Sequence, residues 1–116
     1  MACPPCIAEL KGLNEIVEQY AQEESVAFIS FTLDSKETLQ EDFFPNYEFK
    51  FEIIADAEPF IFEELAHPFG FPTTIIVDQK GMIRKMMSGN STNEAEATKE
   101  VKSLIIPQIE ACLNER

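Results

Sequence analysis

Helical and extended patterns alternate along these 116 residues, and the alternation predicts an α/β fold with helices covering a sheet. Three observations carry that prediction. Apolar residues recur at helical spacing near the front of the chain, β-branched and aromatic runs of strand length follow, and a hairpin signal precedes a long closing helical pattern. No internal repeat, low-complexity tract or linker interrupts them. Residues 1–116 therefore read as a single domain, long enough to bury a real core.

The first element is a helix over 3–24. Ile7, Leu10, Leu13, Val17 and Tyr20 form its apolar face, with Glu15, Glu18 and Gln19 turned away. Pro4 and Pro5 fall in its first turn, where a missing N–H costs nothing. Residues 26–33 are mostly apolar, β-branched and aromatic, which predicts a strand buried on both faces. Asp34 and Ser35 can cap a helix over 36–44, ended by Pro45 and Asn46. Phe51–Ile54 is a short strand, and a helix over about 58–66 turns Phe62, Leu65 and Ala66 inward. Thr73–Val77 is a second buried strand, the turn Asp78-Gln-Lys-Gly81 follows, and Met82–Met87 returns as its hairpin partner. Ser91 with Glu94 makes a capping box for the last helix, whose face is Val101, Leu104, Ile105 and Cys112. Pro107 should kink or split that helix.

The net charge is −12, unevenly spread: residues 1–66 carry 15 acids against three lysines, and residues 67–116 carry six of each sign. Such a surface repels phosphates, which argues against nucleic-acid binding. The acidic half reads as solvated helix faces, or as a docking surface for a basic partner. No stretch approaches the ~20 apolar residues of a membrane helix, so the chain holds no membrane segment of that kind.

Three cysteines are too few for a disulfide-stapled scaffold. Cys112 stands alone on an apolar helical face and reads as a buried structural thiol. Cys3 and Cys6 are different, because they form a C-x-x-C pair at a helix start. A thiol at the N-cap sits where the helix dipole and the free N–H of Cys6 favour a negative sulfur, so Cys3 is the candidate nucleophile. Cys6, one turn further in, can resolve a mixed disulfide by attacking Cys3. Pro4 and Pro5 stiffen the turn between them. A C-x-x-C can also be half of a zinc site, but only Cys112 and His67 remain as partners and neither lies at ligand spacing. Glu9 follows Cys6 by three positions, beside Leu13 and Ile16 at helical spacing. Burial there would raise its pKa and let it carry the proton that Cys6 must lose. Spacing alone leaves that reading level with an exposed glutamate.

Cys3-Pro-Pro-Cys-Ile-Ala-Glu9-Leu, followed by Gly70-Phe-Pro72-Thr-Thr-Ile-Ile-Val-Asp78-Gln-Lys-Gly81, resembles the TlpA/ResA-like branch of the thioredoxin superfamily over essentially the whole chain. Those proteins are extracytoplasmic disulfide reductases, often serving cytochrome c maturation. The resemblance implies a thioredoxin-like sheet covered by helices and a thiol–disulfide oxidoreductase of protein substrates. Its redox group would be the Cys3–Cys6 disulfide with no other cofactor, and an upstream donor would supply electrons. Cys3 would attack and Cys6 resolve. Glu9 matches the glutamate common after the second cysteine. Pro72 matches the proline held in cis beside the dithiol, so that Phe71 and Pro72, with Pro4 and Pro5, would border the substrate. A copper(I) carrier on the same scaffold is the alternative of another class, and a peroxidase is a weaker third.

The chain departs from this branch at several points. Lys11 replaces a usual proline, which should straighten the first helix. Phe71 stands where smaller or β-branched residues are common, which should narrow the substrate groove. Ala2 stands where tryptophan is usual. Only Met1 and Ala2 precede the C-x-x-C, where the family has a buried central strand. The resemblance therefore implies an N-terminally truncated start, with the strand and an export signal or anchor upstream, and an extracytoplasmic (periplasmic or membrane-anchored) location. Without that strand, residues 26–33 and 73–77 lose a shared neighbour. Two outcomes are expected: a homodimer by strand exchange, which is favoured, or direct closure of the two strands on each other.

Overall fold

The computed structural model describes residues 3–64 and 70–115. The first helical pattern forms two helices, α1 (Pro4–Ala8) and α2 (Leu10–Gln19). The expected single straight helix over 3–24 is broken at Glu9, whose φ of −91° and ψ of −5° take the chain out of helical register before the Leu13 N–H bonds the Glu9 carbonyl and restarts it. So Lys11, in place of a proline, does not yield a continuous helix. Gly12, Leu13 and Ile16 are the buried side of α2, while Ile7, Leu10 and Val17 are half-buried.

α4 (Glu94–Asn114) packs along α2 and buries Ala97, Val101, Ile105 and Ile109. Leu13, Ile16, Tyr20, Val101, Ile105 and Ile109 form the core, with Ile76 laid against it from a strand and Val26, Phe28, Phe49 and Phe51 from the segments leading into two others. The approach of the two helices is set by Gly12, where a Cβ would stand 2.7 Å from Val101 Cγ2 and 2.9 Å from Thr98 Cα. Tyr20 closes the end of the interface, its hydroxyl donating to Glu110 at 2.7 Å. Burial and that carboxylate push its pKa up to about 12.

Two expectations for α4 change. Asn93, not Ser91, is its N-cap, accepting from the Glu96 N–H at 3.0 Å. Ser91 supports the cap from outside: its Oγ accepts from the Asn93 N–H and donates to the Glu96 carboxylate. Pro107 lies on the exposed side, and α4 runs through it as one helix, because the loss of one backbone bond is outweighed by packing on both sides of it.

The strand over 73–77 and its hairpin partner form as expected, while the strands expected over 26–33 and 51–54 are shorter, and none is buried on both faces. β1 (Ile29–Phe31) pairs in parallel with β2 (Glu52–Ile54), and β3 (Thr73–Val77) pairs antiparallel with β4 (Ile83–Ser88), as two separate two-stranded sheets. Direct closure of β1 on β3 is therefore not seen among the described residues. Burial on both faces is not seen either. Val26 and Phe28 lie on the core, while Ile29 is 46% and Val77 54% exposed. Phe31 of β1 stacks on the Phe60 ring, with centroids 4.7 Å apart. Glu52 donates to the Phe28 carbonyl and Thr32 to the Ile54 carbonyl, so Phe28 and Thr32 face β2. By alternation, the backbone groups of Ile29 and Phe31 point away from it. No described strand pairs with that edge.

α3 (Lys36–Thr38) is capped by Ser35 as expected, and it widens into a π-helical turn over Leu39–Phe43 that buries Leu39 and Phe43. A second π-helical turn spans Phe60–Glu64. Its inward side chain is Ile61, with Phe62 46% exposed, which corrects the predicted face. Leu65 and Ala66 lie outside the described residues.

Candidate active site

Cys3 is the N-cap of α1, with Pro4 and Pro5 occupying its first two helical positions. Their fixed φ and absent N–H groups suit the start of a helix. This geometry brings Cys3 and Cys6 together as a disulfide, Cα to Cα 5.2 Å apart, and both residues are half-buried. Pro4 is exposed and Pro5 half-buried.

Glu9 ends α1 and turns inward. It is only 5% exposed, so the exposed-glutamate reading fails. Its Oε2 accepts a hydrogen bond from Asn90 Nδ2 at 2.9 Å. Burial is the larger influence and raises its pKa above the ordinary carboxylate value, while the Asn90 bond works the other way. A carboxyl group of this kind can hold or release a proton nearer neutrality than a surface glutamate.

The Phe71–Pro72 peptide is cis, as the resemblance implied. Phe71 is exposed and Pro72 buried. The Pro72 carbonyl accepts from the Gly89 N–H at 2.7 Å, and Gly89 has a φ of +82°, a conformation glycine adopts without strain. Gly89 and Asn90 therefore link the two sequence motifs: one residue bonds the Pro72 carbonyl, and the next bonds the Glu9 carboxylate at the end of α1.

Cys112 is a free, half-buried thiol rather than a fully buried one. It lies ~20 Å along α4 from Ala97, the helical residue whose carbonyl faces Asn90. His67, the other candidate zinc ligand, lies outside the described residues. Among the described residues, no group of three or more His, Cys, Asp or Glu side chains is placed to hold a metal, and no helix is long and apolar enough to cross a membrane.

Residues 1–86 match the AhpC/TSA family. The chain belongs to that family. Curated relatives agree with this placement. The chain is 28% identical over 93 residues to the thioredoxin-like protein YneN of Bacillus subtilis, covering 79% of this chain and 54% of that protein. It is 25% identical over 95 residues to the thiol-disulfide oxidoreductase ResA of Geobacillus thermodenitrificans, covering 79% and 52%. It is 27% identical over 107 residues to ResA of Halalkalibacterium halodurans, covering 91% and 58%. The chain thus spans about half the length of the curated relatives it matches. No solved structure matches it. It is a ResA-like member of the thioredoxin superfamily, with a mixed α/β fold.

Within this AhpC/TSA chain, sequence reading missed Gly89 and Asn90. Gly89 could have been found as a glycine ending a strand. Asn90 carries no local signal, since its partner Glu9 is 81 positions away.

Proposed function

We propose that this chain is a thiol–disulfide oxidoreductase acting on protein substrates, with Cys3 attacking and Cys6 resolving. The single observation that carries this reading is the Cys3–Cys6 disulfide at the start of α1 with the buried Glu9 closing the same helix.

In the reducing direction, the Cys3 thiolate attacks a substrate disulfide. One substrate sulfur leaves as a thiol after taking a proton, and a Cys3–substrate mixed disulfide remains. Glu9 accepts the Cys6 proton, Cys6 attacks Cys3 Sγ, and the Cys3–substrate bond breaks. The substrate is reduced by two electrons and the protein is left as the Cys3–Cys6 disulfide. An upstream dithiol donor then returns it to the reduced state. Pro4, Pro5, Phe71 and Pro72 border the substrate, and the exposed Phe71 ring narrows its path.

By its resemblance to the ResA-like branch, the chain works outside the cytoplasm, as a single thioredoxin-like domain with the disulfide as its redox group. A copper(I) carrier is the alternative, and copper titration of the reduced protein is the comparison. We also propose that two copies associate by strand exchange, because among the described residues no strand pairs with the outer edge of β1, which carries Ile29 and Phe31.

The test uses insulin reduction with dithiothreitol. Cys3→Ser abolishes turnover, and Cys6→Ser accumulates mixed disulfides with substrate. Cys112→Ala leaves activity intact. Normal turnover by Cys6→Ser together with loss in Cys112→Ala would reverse the assignment.

A further inference from the structure

We propose that Asn90 is a positioning residue for the dithiol reaction: its amide, locked by the turn into α4, holds the Glu9 carboxylate in place and presents it with a donor only. This rests on the reading of Glu9 as the proton carrier.

The orientation of the amide follows from three partners. Asn90 Oδ1 accepts from the Ser91 backbone N–H at 2.7 Å, which only an oxygen can do. Nδ2 is therefore the end that faces Glu9 Oε2 at 2.9 Å, and it also faces the Ala97 carbonyl at 3.5 Å. Both of those are acceptors, so all three contacts demand the same orientation.

The segment around the amide is pinned on both sides. Gly89 donates to the Pro72 carbonyl, and the Ser91 hydroxyl accepts from the Asn93 N–H while donating to Glu96. Asn90 thus sits where the cis-proline end of β3, the first turn of α4 and the end of α1 meet. Its position is set by backbone contacts rather than by Glu9 itself.

An N–H donor favours the ionised carboxylate and is poorly served by the protonated one. Burial alone would drive Glu9 toward the protonated form, and Asn90 opposes it. α1 packs against α2 and α4. From α2 the nearby charges are Lys11 and Glu15, which pair with each other at 3.1 Å. From α4 they are Glu94, Glu96, Lys99 and Glu100, of which the last three line a shallow hollow with Asn90. Burial and the Asn90 bond are the leading influences on Glu9. Asn90 thereby sets the pH at which Glu9 can take the Cys6 proton.

The experiment follows the pH profile of the resolving step in the full chain, with a disulfide-bonded peptide as substrate, for wild type, Glu9→Gln, Asn90→Ala, Asn90→Asp and the Glu9→Gln/Asn90→Ala double variant. Asn90→Asp keeps an oxygen for the Ser91 N–H and so preserves the turn even if Asn90→Ala does not fold. Glu9→Gln removes a limb of the profile. Asn90→Ala moves that limb to higher pH by about one unit, and Asn90→Asp moves it further, because two facing carboxyls share a proton. The double variant matches Glu9→Gln alone. If Glu9→Gln removes the limb but neither Asn90 variant moves it, the positioning role is overturned and the Glu9 reading stands. If Glu9→Gln leaves the profile unchanged, both fall.

Discussion

The helical pair and the strand pairs of this chain both supply large apolar side chains, which end in opposite environments. Ile16 and Val101, where α2 meets α4, are 0% exposed, whereas Ile29 on β1 and Val77 on β3 are about half exposed. Helical periodicity says which side of an element is buried, because the pattern itself is one-sided. A continuous apolar strand says only that both faces could be buried, and whether they are depends on what the rest of the chain lays over them. Here α4 packs against β3, and Phe28 and Phe51, just ahead of β1 and β2, lie on the helical core. The contrast assigns more of the stability to the helical interface than to the strands.

The largest test of that contrast is truncation on each side. Ile16→Ala removes a fully enclosed side chain and should cost about 2–5 kcal/mol. Val77→Ala removes atoms already in water and should cost less than about 1 kcal/mol. Denaturant titration of both variants checks the difference. Equal losses would show that the strands carry as much of the fold as the helices.

A second, smaller effect concerns how closely the helices approach. In an exposed helix, Gly→Ala is favourable by about 1 kcal/mol. At Gly12 the added methyl meets Val101 Cγ2 at 2.7 Å and the backbone of Thr98 at 2.9 Å, and a backbone atom cannot swing aside. Gly12→Ala should therefore destabilise by about 1–3 kcal/mol, the cost of overpacking. A stabilised variant would mean that the two helices separate easily and the interface is looser than its distances.

The dithiol was legible from local pattern, C-x-x-C with two prolines at a helix start, whereas the cis proline at Pro72 came only from the family resemblance. The Ser35 cap was also legible locally, since it needs only its own first turn. What failed needed distant partners. Two overlapping caps fit the start of α4, Ser91 with Glu94 and Asn93 with Glu96, at identical spacing. The structure uses the second because the Ser91 hydroxyl is engaged with the Asn93 N–H and Glu96. The role of Gly12 carries no local signal, since its neighbours Thr98 and Val101 lie far along the chain. Glu9 was undecided until Asn90 and its burial were seen.

The smallest expected effect on stability is at the β1 edge, where it sharpens the comparison most. Ile29 is nearly half exposed, and its backbone groups point away from β2, so replacing it by lysine removes little packing and should change stability by no more than about 0.5 kcal/mol. An edge lysine is nonetheless a strong obstacle to pairing with another strand, since docking a second chain would desolvate the charge. If two copies associate through this edge, light scattering at low micromolar concentration should show a dimer for wild type and a monomer for Ile29→Lys, with matching denaturant midpoints at concentrations where both are monomeric. A wild-type monomer would leave the open edge without a partner in this chain. A dimer that persists in Ile29→Lys would move the interface elsewhere. Loss of fold in Ile29→Lys would contradict the division of labour directly, because it would make an exposed edge residue as necessary as Ile16.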